Sequence, residues 1–232
     1  MARGDELIFD VAPYRLSGNV YGVLMNHRAA LAALGDAVHQ PPYKAPPQSA
    51  VLYIKPRNSL VLPGQPVLVD EAVRELEVGA ALGVVIGRTA CAVSASDALA
   101  CIAGYVIVAD FSVPHEAFFR PAIRFKARDA SCVIGANVVA RAAITDADAL
   151  GVRVFVDARL AQRSSTAGTF RGAAQLVSDV SEFMTLSPGD VLMTGVAPGA
   201  PRVGAGAAVA IEIDGLGRLE MRVRDAAPGG AA

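Results

Sequence analysis

ELEVGAALGVVIGRTACAVSASDALACIAGYVIVADFSVPHEAFFRPAIRFKARD, residues 75–129, is the stretch that decides the fold. Two apolar runs within it, Val84–Ile86 and Tyr105–Val108, are rich in β-branched residues and bounded by glycine or charge, which predicts two buried strands. Asp110 ends the second run, and Lys126 follows farther along. A carboxylate at the end of a buried strand either accepts hydrogen bonds from a turn or faces a functional site, because an unpaired buried charge is costly. The residues alone leave both interpretations open.

A short helix is predicted between these two strands. Ser94 suits the N-cap with Asp97 three residues on, and Gly104 suits the position that stops the helix. Leu99 and Ile102 give it an apolar face. We therefore predict that this helix has a structural role and contributes no catalytic or binding residue.

Residues 1–47 are predicted to form an N-terminal arm of strand, helix and linker. Segments 7–11 and 20–25 are patterned as short strands, and Asn26 can cap the helix that follows. His27 and Arg28 lie in the first turn, which is either a solvated helix start or a turn that faces an anion. Four prolines in segment 40–47 exclude a helix or a central strand there.

Residues 48–226 are predicted to form one β-rich domain, with a tail at 227–232. Val51–Lys55 is a strand, segment 171–185 is an amphipathic helix, and segment 209–223 is a hairpin. Lys55 and Arg57 end the first of these strands, where two cations either bind an acidic substrate or face water. Because strands outnumber helices and do not alternate with them, the predicted class is α+β, with a rolled or barrel-like mixed sheet.

Composition narrows the function classes. The 232 residues carry 21 basic and 22 acidic side chains without a basic run, which argues against nucleic acid as a partner. No apolar stretch approaches the roughly 20 residues that cross a bilayer, and the N-terminus lacks the apolar core of a secretory signal. We therefore expect a cytoplasmic protein without a membrane partner. Its three cysteines lack metal-type spacing and are expected to be reduced.

Four motifs make the chain resemble the fumarylacetoacetate hydrolase family along nearly its whole length. They follow the family's order: GVVIGR at 83–88, DAL with AGYVIVADFS at 97–112, FKARD at 125–129 and LSPGDVLMTG at 186–195. The resemblance implies a mixed, strongly twisted β-roll with few helices. This fold agrees with the class predicted from the strand pattern.

Further matches resemble one branch of the family. They are NHR at 26–28, YKAPP at 43–47, IKPRN at 54–58 and RPAI at 120–123. This branch decarboxylates 5-oxopent-3-ene-1,2,5-tricarboxylate and isomerises the product, 2-hydroxyhepta-2,4-dienedioate, in 4-hydroxyphenylacetate degradation. Its members fuse two domains of the family, and this chain resembles the first. The resemblance therefore implies a homodimer or a heteromer with a paralogous second subunit.

The resemblance also implies a Mg²⁺ or Mn²⁺ site built from two glutamates in an E-x-E strand and one aspartate. Hard divalent cations prefer oxygen ligands, and i, i+2 spacing puts both glutamates on one face of a strand. The metal would chelate a di- or tricarboxylate 2-oxo acid and stabilise its enolate. Asp110 matches the aspartate ligand, and Lys126 matches a lysine that steadies charge or moves a proton.

The candidate residues follow from this resemblance. Lys126, Asp110 and His27 are the catalytic candidates. The candidates for binding substrate carboxylates are Arg28, Lys55, Arg57, Arg120 and Thr194.

The expected glutamate ligands are missing, because their positions fall on Gly79 and Ala81. Glu75 and Glu77 have E-x-E spacing, but four residues of strand displace them by about 13 Å, more than one bulge absorbs. An exposed strand edge or turn is therefore the preferred interpretation of this pair. The family's His–Glu lid dyad falls near Ala30 and Ala33, so we expect this dyad to be missing as well.

Three functions remain open. The chain is an active subunit whose isomerisation needs no metal, or it is a catalytically degenerate partner of a metal-binding second subunit. A hydrolase of β-diketo acids is the third. The lost lid dyad argues against the hydrolase, since that dyad serves to activate water.

Overall fold

A computed structural model describes residues 18–115 and 123–226 of the chain. The α-helices in this part are α1 (Arg28–Ala33), α2 (Ala95–Cys101), α3 (Ile123–Lys126) and α4 (Ala173–Ser181). The strands are β1 (Val20–Leu24), β2 (Val51–Lys55), β3 (Leu60–Val61), β4 (Val67–Val69), β5 (Leu76–Ile86), β6 (Ile102–Ser112), β7 (Cys132–Ile134), β8 (Val139–Ala140), β9 (Gly151–Val156), β10 (Arg159–Ser165), β11 (Val191–Met193), β12 (Arg202–Val203), β13 (Ala208–Ile213) and β14 (Gly217–Asp225). The strand predicted at 7–11 lies outside the described residues.

Two mixed sheets build the fold. The larger has nine strands in the order β2-β1-β11-β5-β6-β7-β3, with β12 added to β5 and β8 added to β6. The smaller has five in the order β10-β9-β13-β14-β4. Parallel and antiparallel pairs both occur, since β1 runs parallel to β11 and antiparallel to β2. The β-rich α+β class predicted from the sequence is confirmed.

The long antiparallel pair β5 and β6 forms the centre of the larger sheet. Each strand has 11 residues and is buried almost throughout, because both faces of the sheet are covered. Along β5, Val78, Leu82 and Val84 point to the main core, while Ala81 and Val85 point to a second cluster on the other face. This period-two alternation fixes which residues of β5 face the candidate site.

A loop leaves the larger sheet beside β5 and makes room for a cavity. On one side of β5, β11 pairs with residues 83–85 and β12 pairs with residues 76–77. Between these two short strands, the backbones of Thr194 and Pro201 still hydrogen-bond to β5, and segment 195–200 arches away from it. The Val196 side chain of this loop lies over Gly79, and residues 196–200 form one wall of the cavity.

The helices agree in part with the sequence-based predictions. Ser94 caps α2 by accepting a hydrogen bond from the Asp97 backbone, as predicted. The prediction that Gly104 stops this helix is wrong, because β6 begins at Ile102 and Gly104 lies within it. No helix in the described part of the chain is long and apolar enough to cross a membrane.

The helix predicted after Asn26 begins two residues later. His27, not Asn26, caps α1, since its Nδ1 accepts from the Ala29 backbone 3.3 Å away. Asn26 is buried and binds two distant segments: its amide donates to the Thr194 carbonyl at 2.7 Å and the Arg171 carbonyl at 2.9 Å. β1 also lies in the larger sheet, so the described part of the predicted arm packs with the domain. The domain boundary at residue 47 stays a prediction.

Candidate active site

Asp110 lies at the centre of a buried cluster of charge. It is a residue of β6 directly opposite Gly79 of β5. Lys126 at the end of α3 places its Nζ 2.8 Å from Oδ2, and Lys55 at the end of β2 places its Nζ 2.8 Å from Oδ1. The Tyr53 hydroxyl donates a hydrogen bond to Oδ2. Two ammonium groups and one carboxylate leave this cluster with a net positive charge.

Lys55 has a completely buried side chain, which is unusual for lysine. Its Nζ donates to the Phe111 carbonyl at 3.0 Å, to the Ser131 hydroxyl at 3.1 Å and to the Lys126 carbonyl. Its contact with Asp110 Oδ1 is ionic, since that oxygen receives no hydrogen bond of ordinary geometry. Oxygen atoms from β6, from α3 and from the residue before β7 therefore surround the ammonium and compensate for its lost hydration.

The cluster fixes the protonation of the groups around it. Burial opposes ionisation of Asp110, but the adjacent Lys126 and Lys55 ammonium groups outweigh it and hold the pKa of this carboxyl far below its usual range. Burial, and then the Asp110 charge, raise the pKa of Tyr53 well above its ordinary value, so it stays a hydrogen-bond donor. Burial raises the pKa of Cys132, opposite Asp110 on β7, to about 12, which keeps this thiol neutral.

A cavity of about 440 Å³ opens above this cluster. Lys126 and Tyr53 line its floor. Its walls come from the end of β1, from α1 and from the arching loop at 196–200. A cavity of this size that contains an ammonium group suits a small anionic molecule.

A second pair of charges lies at the rim of the cavity. Glu77 of β5 stands directly opposite Arg202 of β12 and opposite Ser112 of β6, and all three line the cavity. Directly paired residues share a face of the sheet, so this row lies two residues along β5 from the row of Gly79 and Asp110. Arg202 Nη2 is 3.5 Å from Glu77 Oε1.

His115 also lines the cavity, just beyond the end of β6. Its ring stacks on Phe125, with centroids 4.7 Å apart and an interplanar angle of 7°. Its Nδ1 lies 2.8 Å from the Val113 carbonyl. Because a carbonyl oxygen only accepts, Nδ1 carries a proton and donates it to Val113.

The described residues do not fit a Mg²⁺ or Mn²⁺ site. Among them, no group of three or more His, Cys, Asp or Glu side chains could hold a metal ion. Both carboxylate oxygens of Asp110 already contact ammonium or phenol groups. Gly79 and Ala81 have no side-chain atom that could bind a metal ion. A Cβ on Gly79 would lie 2.6 Å from the Asp110 carbonyl and 2.9 Å from Val196 Cγ2, so a longer side chain has no room without a shift. The close packing around Gly79 therefore agrees with the absence of a glutamate ligand at this position.

The glutamate pair upstream is split by the structure. Glu75 is exposed in a turn before β5, whereas Glu77 lies on β5 and lines the cavity. The preferred interpretation, an exposed edge or turn, is confirmed for Glu75 and wrong for Glu77. Ala30 and Ala33, where the lid dyad was expected, both line the cavity and bring no acid or base to it.

Of the sequence candidates, the structure brings Lys126, Asp110 and Lys55 together. Lys55 serves Asp110 and the protein's own carbonyls rather than the cavity. His27 lies away from the cavity as the cap of α1, and burial lowers its pKa. The remaining candidates lie elsewhere: Arg28 is exposed over the Phe170 ring, Arg57 is exposed after β2, Thr194 is buried at the end of β11, and Arg120 is outside the described residues.

Sequence reasoning missed Tyr53, His115 and Arg202, and it interpreted Glu77 as part of an exposed edge or turn. Tyr53 and Lys55 are spaced i, i+2 on β2, so the sequence could have shown that their side chains share a face of the strand. His115 lies just beyond a strand end and Arg202 depends on the register of a two-residue strand, which leave no pattern in the sequence.

Comparisons with known proteins point to one protein family. A family model described as fumarylacetoacetate (FAA) hydrolase C-terminal matches residues 19–224. The 4-hydroxyphenylacetate degradation bifunctional isomerase/decarboxylase of Escherichia coli is 39% identical over 210 residues, which are 90% of this chain and 48% of that protein. The chain thus spans about half the length of this relative.

Two solved structures are similar along most of the chain. The 5-carboxymethyl-2-hydroxymuconate delta-isomerase of Mycobacterium smegmatis has a TM-score of 0.77 and 28% identity, covering 91% of this chain and 80% of that one. The fumarylpyruvate hydrolase of Pseudomonas aeruginosa, in complex with Mn²⁺ and pyruvate, has a TM-score of 0.75 and 25% identity, covering 90% of each chain. The expected β-roll is therefore confirmed.

Proposed function

The chain belongs to the fumarylacetoacetate hydrolase family, and from this premise we propose that it is a subunit of the decarboxylase/isomerase of 4-hydroxyphenylacetate degradation. Its substrates would be 5-oxopent-3-ene-1,2,5-tricarboxylate and 2-hydroxyhepta-2,4-dienedioate. One observation carries the proposal. The Lys126 ammonium lies at the floor of a cavity of about 440 Å³, beside a carboxylate that cannot neutralise it alone because Lys55 shares it.

Electrostatic stabilisation by Lys126 is the main chemical contribution that we assign to the site. A 2-oxo acid brings a carboxylate, and its 2-oxygen gains negative charge as an enolate forms. An ammonium group fixed in a site with little water stabilises that charge at little reorganisation cost. Asp110, Lys55 and the Tyr53 hydroxyl hold Lys126 in place, so that its charge is aimed before substrate arrives.

Isomerisation needs one proton removed and one added. The proton leaves the 2-hydroxyl oxygen of the dienol, the double bonds shift, and C5 gains a proton, so the product is a 2-oxo-3-ene with the same atoms. We assign the proton transfer to His115 or Lys126, which replaces the role that the sequence suggested for His27. The imidazole of His115 suits this step because it lines the cavity and has two ring nitrogens that can exchange protons with a bound molecule.

The proposed isomerisation needs no divalent ion from this chain. Divalent metals are typical of the family, and the Pseudomonas hydrolase was crystallised with Mn²⁺. Here the described donor set does not fit such an ion. In the proposed isomerisation, this chain's own residues therefore carry out every step.

A second candidate is a catalytically degenerate partner that builds a heteromer with a metal-binding paralogue. The observation that favours it is the same loss of ligands at Gly79 and Ala81. In this case the second subunit would hold the metal and perform both reactions. A homodimer of this chain alone would then be inactive.

One experiment on the purified chain tests both candidates. Calorimetry with Mn²⁺ and Mg²⁺ is expected to show no micromolar binding, and isomerisation of 2-hydroxyhepta-2,4-dienedioate is expected to survive EDTA. Lys126→Met should lower kcat by about 100- to 1000-fold, as the loss of one charge-stabilising group does elsewhere. Lys44→Met, an exposed lysine outside the cavity, is the matched control.

Other outcomes would contradict the proposal. Micromolar metal binding would show that the donor set has been misjudged. Turnover that is absent from this chain and appears only on mixing with a paralogue with intact E-x-E would support the structural partner instead.

A further inference from the structure

The cavity has two separate positive poles. Among the described residues that line it, Lys126 and Arg202 are the lysine and arginine side chains. Lys126 is nearly buried at the floor, whereas the Arg202 side chain is 55% exposed at the rim. A molecule with two anionic ends would find a cation at each end of the cavity.

Strand register sets the spacing between the poles. Arg202 pairs with Glu77 on one side of β5, and Asp110, which holds Lys126, pairs with Gly79 on the other side. Two strand spacings across and two residues along separate the Cα atoms of Arg202 and Asp110 by about 12 Å. An extended seven-carbon dicarboxylate has its terminal carbons about 7 to 8 Å apart. A dicarboxylate of this length therefore fits between the two backbone positions, and the Lys126 and Arg202 side chains span what remains.

Arg202 has a weak partner in the absence of substrate. Its Nη2 is 3.5 Å from Glu77 Oε1, longer than the usual contact between a guanidinium and a carboxylate. A mobile carboxylate on a ligand can form the two parallel hydrogen bonds that this pair lacks.

We propose that Arg202 forms a second carboxylate subsite. It binds the distal carboxylate of a dicarboxylate 2-oxo acid whose 2-oxo end lies at Lys126, and that carboxylate displaces Glu77. This inference rests on the proposed function, because it takes the cavity to be the substrate site. It makes Arg202 the residue that selects dicarboxylates over monocarboxylates of the same length.

Arg202 thus takes the carboxylate-binding role that was predicted for other cations. Lys55 is fully buried, Arg28 stacks on Phe170, and Arg57 does not line the cavity. Arg202 was not a candidate because β12, the strand that positions it, has only two residues.

Two probes of equal chain length test the subsite. Calorimetry measures the affinity of the whole chain for 2-oxoheptanedioate and for 2-oxoheptanoate, in which a methyl group replaces the distal carboxylate. The wild type is expected to bind the dicarboxylate about 10- to 100-fold more tightly, the usual range for a hydrogen-bonded charge pair. Arg202→Gln should abolish this ratio and leave the affinity for 2-oxoheptanoate unchanged.

Two further variants sharpen the test. Arg163→Gln removes the same charge from an exposed position on β10, outside the cavity, and should keep the full ratio. Glu77→Gln removes the competing carboxylate and should tighten dicarboxylate binding a few-fold without changing the monocarboxylate. Thermal unfolding checks that each variant is folded.

The outcomes separate this inference from the proposed function. A ratio that persists in Arg202→Gln, or equal weakening of both probes, would overturn the subsite and leave the proposed function standing. Equal affinities in the wild type would do the same. If neither probe binds the wild type, the cavity is not a site for 2-oxo acids, and both proposals fail.

Discussion

At the floor of the cavity the Lys55 and Asp110 side chains have no exposed surface, whereas at the rim Glu77 and Arg202 are 27% and 55% exposed. The floor pair is 2.8 Å apart and shares further hydrogen bonds with tyrosine, serine and backbone oxygens. The rim pair has one long contact of 3.5 Å. Glu77 and Asp110 lie on the same face of β5 and β6, in rows two residues apart, and Lys55 reaches Asp110 from β2.

Because the two pairs differ in burial, the same sheet can hold one charge pair rigidly and leave the other open to exchange. Buried charges are costly to leave unpaired, so the Lys55–Asp110 pair is committed to one arrangement, in which it holds the Lys126 ammonium in place. Half-exposed charges are stabilised by water, so the rim can exchange partners at small cost. We therefore expect mutations of Lys55 and Asp110 to act mainly on stability and mutations at the rim to act on ligand choice.

The largest expected effect follows from Lys55→Met. It leaves the carbonyls of Phe111 and Lys126 and the Ser131 hydroxyl without their buried donor, and Asp110 with half of its compensation. The free energy of unfolding should fall by about 3 to 5 kcal/mol, the usual result of breaking a buried ion pair. Urea denaturation measures it, and Lys44→Met, an exposed lysine, should change it by less than about 0.5 kcal/mol. A loss below 1 kcal/mol at Lys55 would mean that the floor is hydrated rather than closed.

Asp110→Asn should cost about 3 kcal/mol at neutral pH and change the response to acid. The pKa of Asp110 is lower in the folded chain than in the unfolded one, so between these two values the unfolded state binds more protons and stability rises with pH. The Asp110 contribution is therefore complete above the unfolded value near 4 and declines as the pH falls below it.

Unfolding of both proteins from pH 3 to pH 7 measures this contribution. The gap between wild type and Asp110→Asn should be constant above about pH 5 and should narrow below about pH 4. A gap that widens in acid would contradict the lowered pKa.

Gly79→Ala should have an intermediate effect. The new Cβ would meet the Asp110 carbonyl at 2.6 Å, which is backbone and cannot rotate away, and Val196 Cγ2 at 2.9 Å. We expect a loss of about 1 to 3 kcal/mol, as in other overpacked sites. Gly135→Ala is the control, since its nearest contact is 3.3 Å and is expected to cost less. If Gly79→Ala is neutral, β5 has room to carry a metal ligand, and the argument that the site is packed without one fails.

The sequence predicted the floor better than the rim, for physical reasons. Val84–Ile86 and Tyr105–Val108 are continuous apolar runs rich in β-branched residues, so β5 and β6 could be predicted although both are longer than these runs. Gly104 misled the helix prediction because its small size serves β6, where a Cβ would lie 2.2 Å from the Val139 carbonyl. Burial of Lys55 could not be predicted, since a lysine is buried only with partners that come from distant segments.

The proximity of Asp110 and Lys126 came from family resemblance and not from periodicity. By contrast, Arg202 faces Glu77 only through the pairing of a two-residue strand with β5. A strand that short has no alternation for a sequence to display. Long-range register of this kind is set by the tertiary fold, so the rim had to be found in the structure.

Glu77→Gln should have the smallest effect on stability, because it changes the rim pair and leaves the buried floor pair intact. Its partner Arg202 is more than half exposed and the contact is long, so the free energy of unfolding should change by less than about 1 kcal/mol. Because added salt screens exposed pairs, the small loss should shrink further at high ionic strength, whereas the loss in Lys55→Met should persist there. Urea denaturation of both variants at low and high salt measures this contrast. A loss at Glu77 that matches Lys55 and resists salt would mean that rim and floor form one committed network, and that Glu77 is not free to yield Arg202 to a ligand.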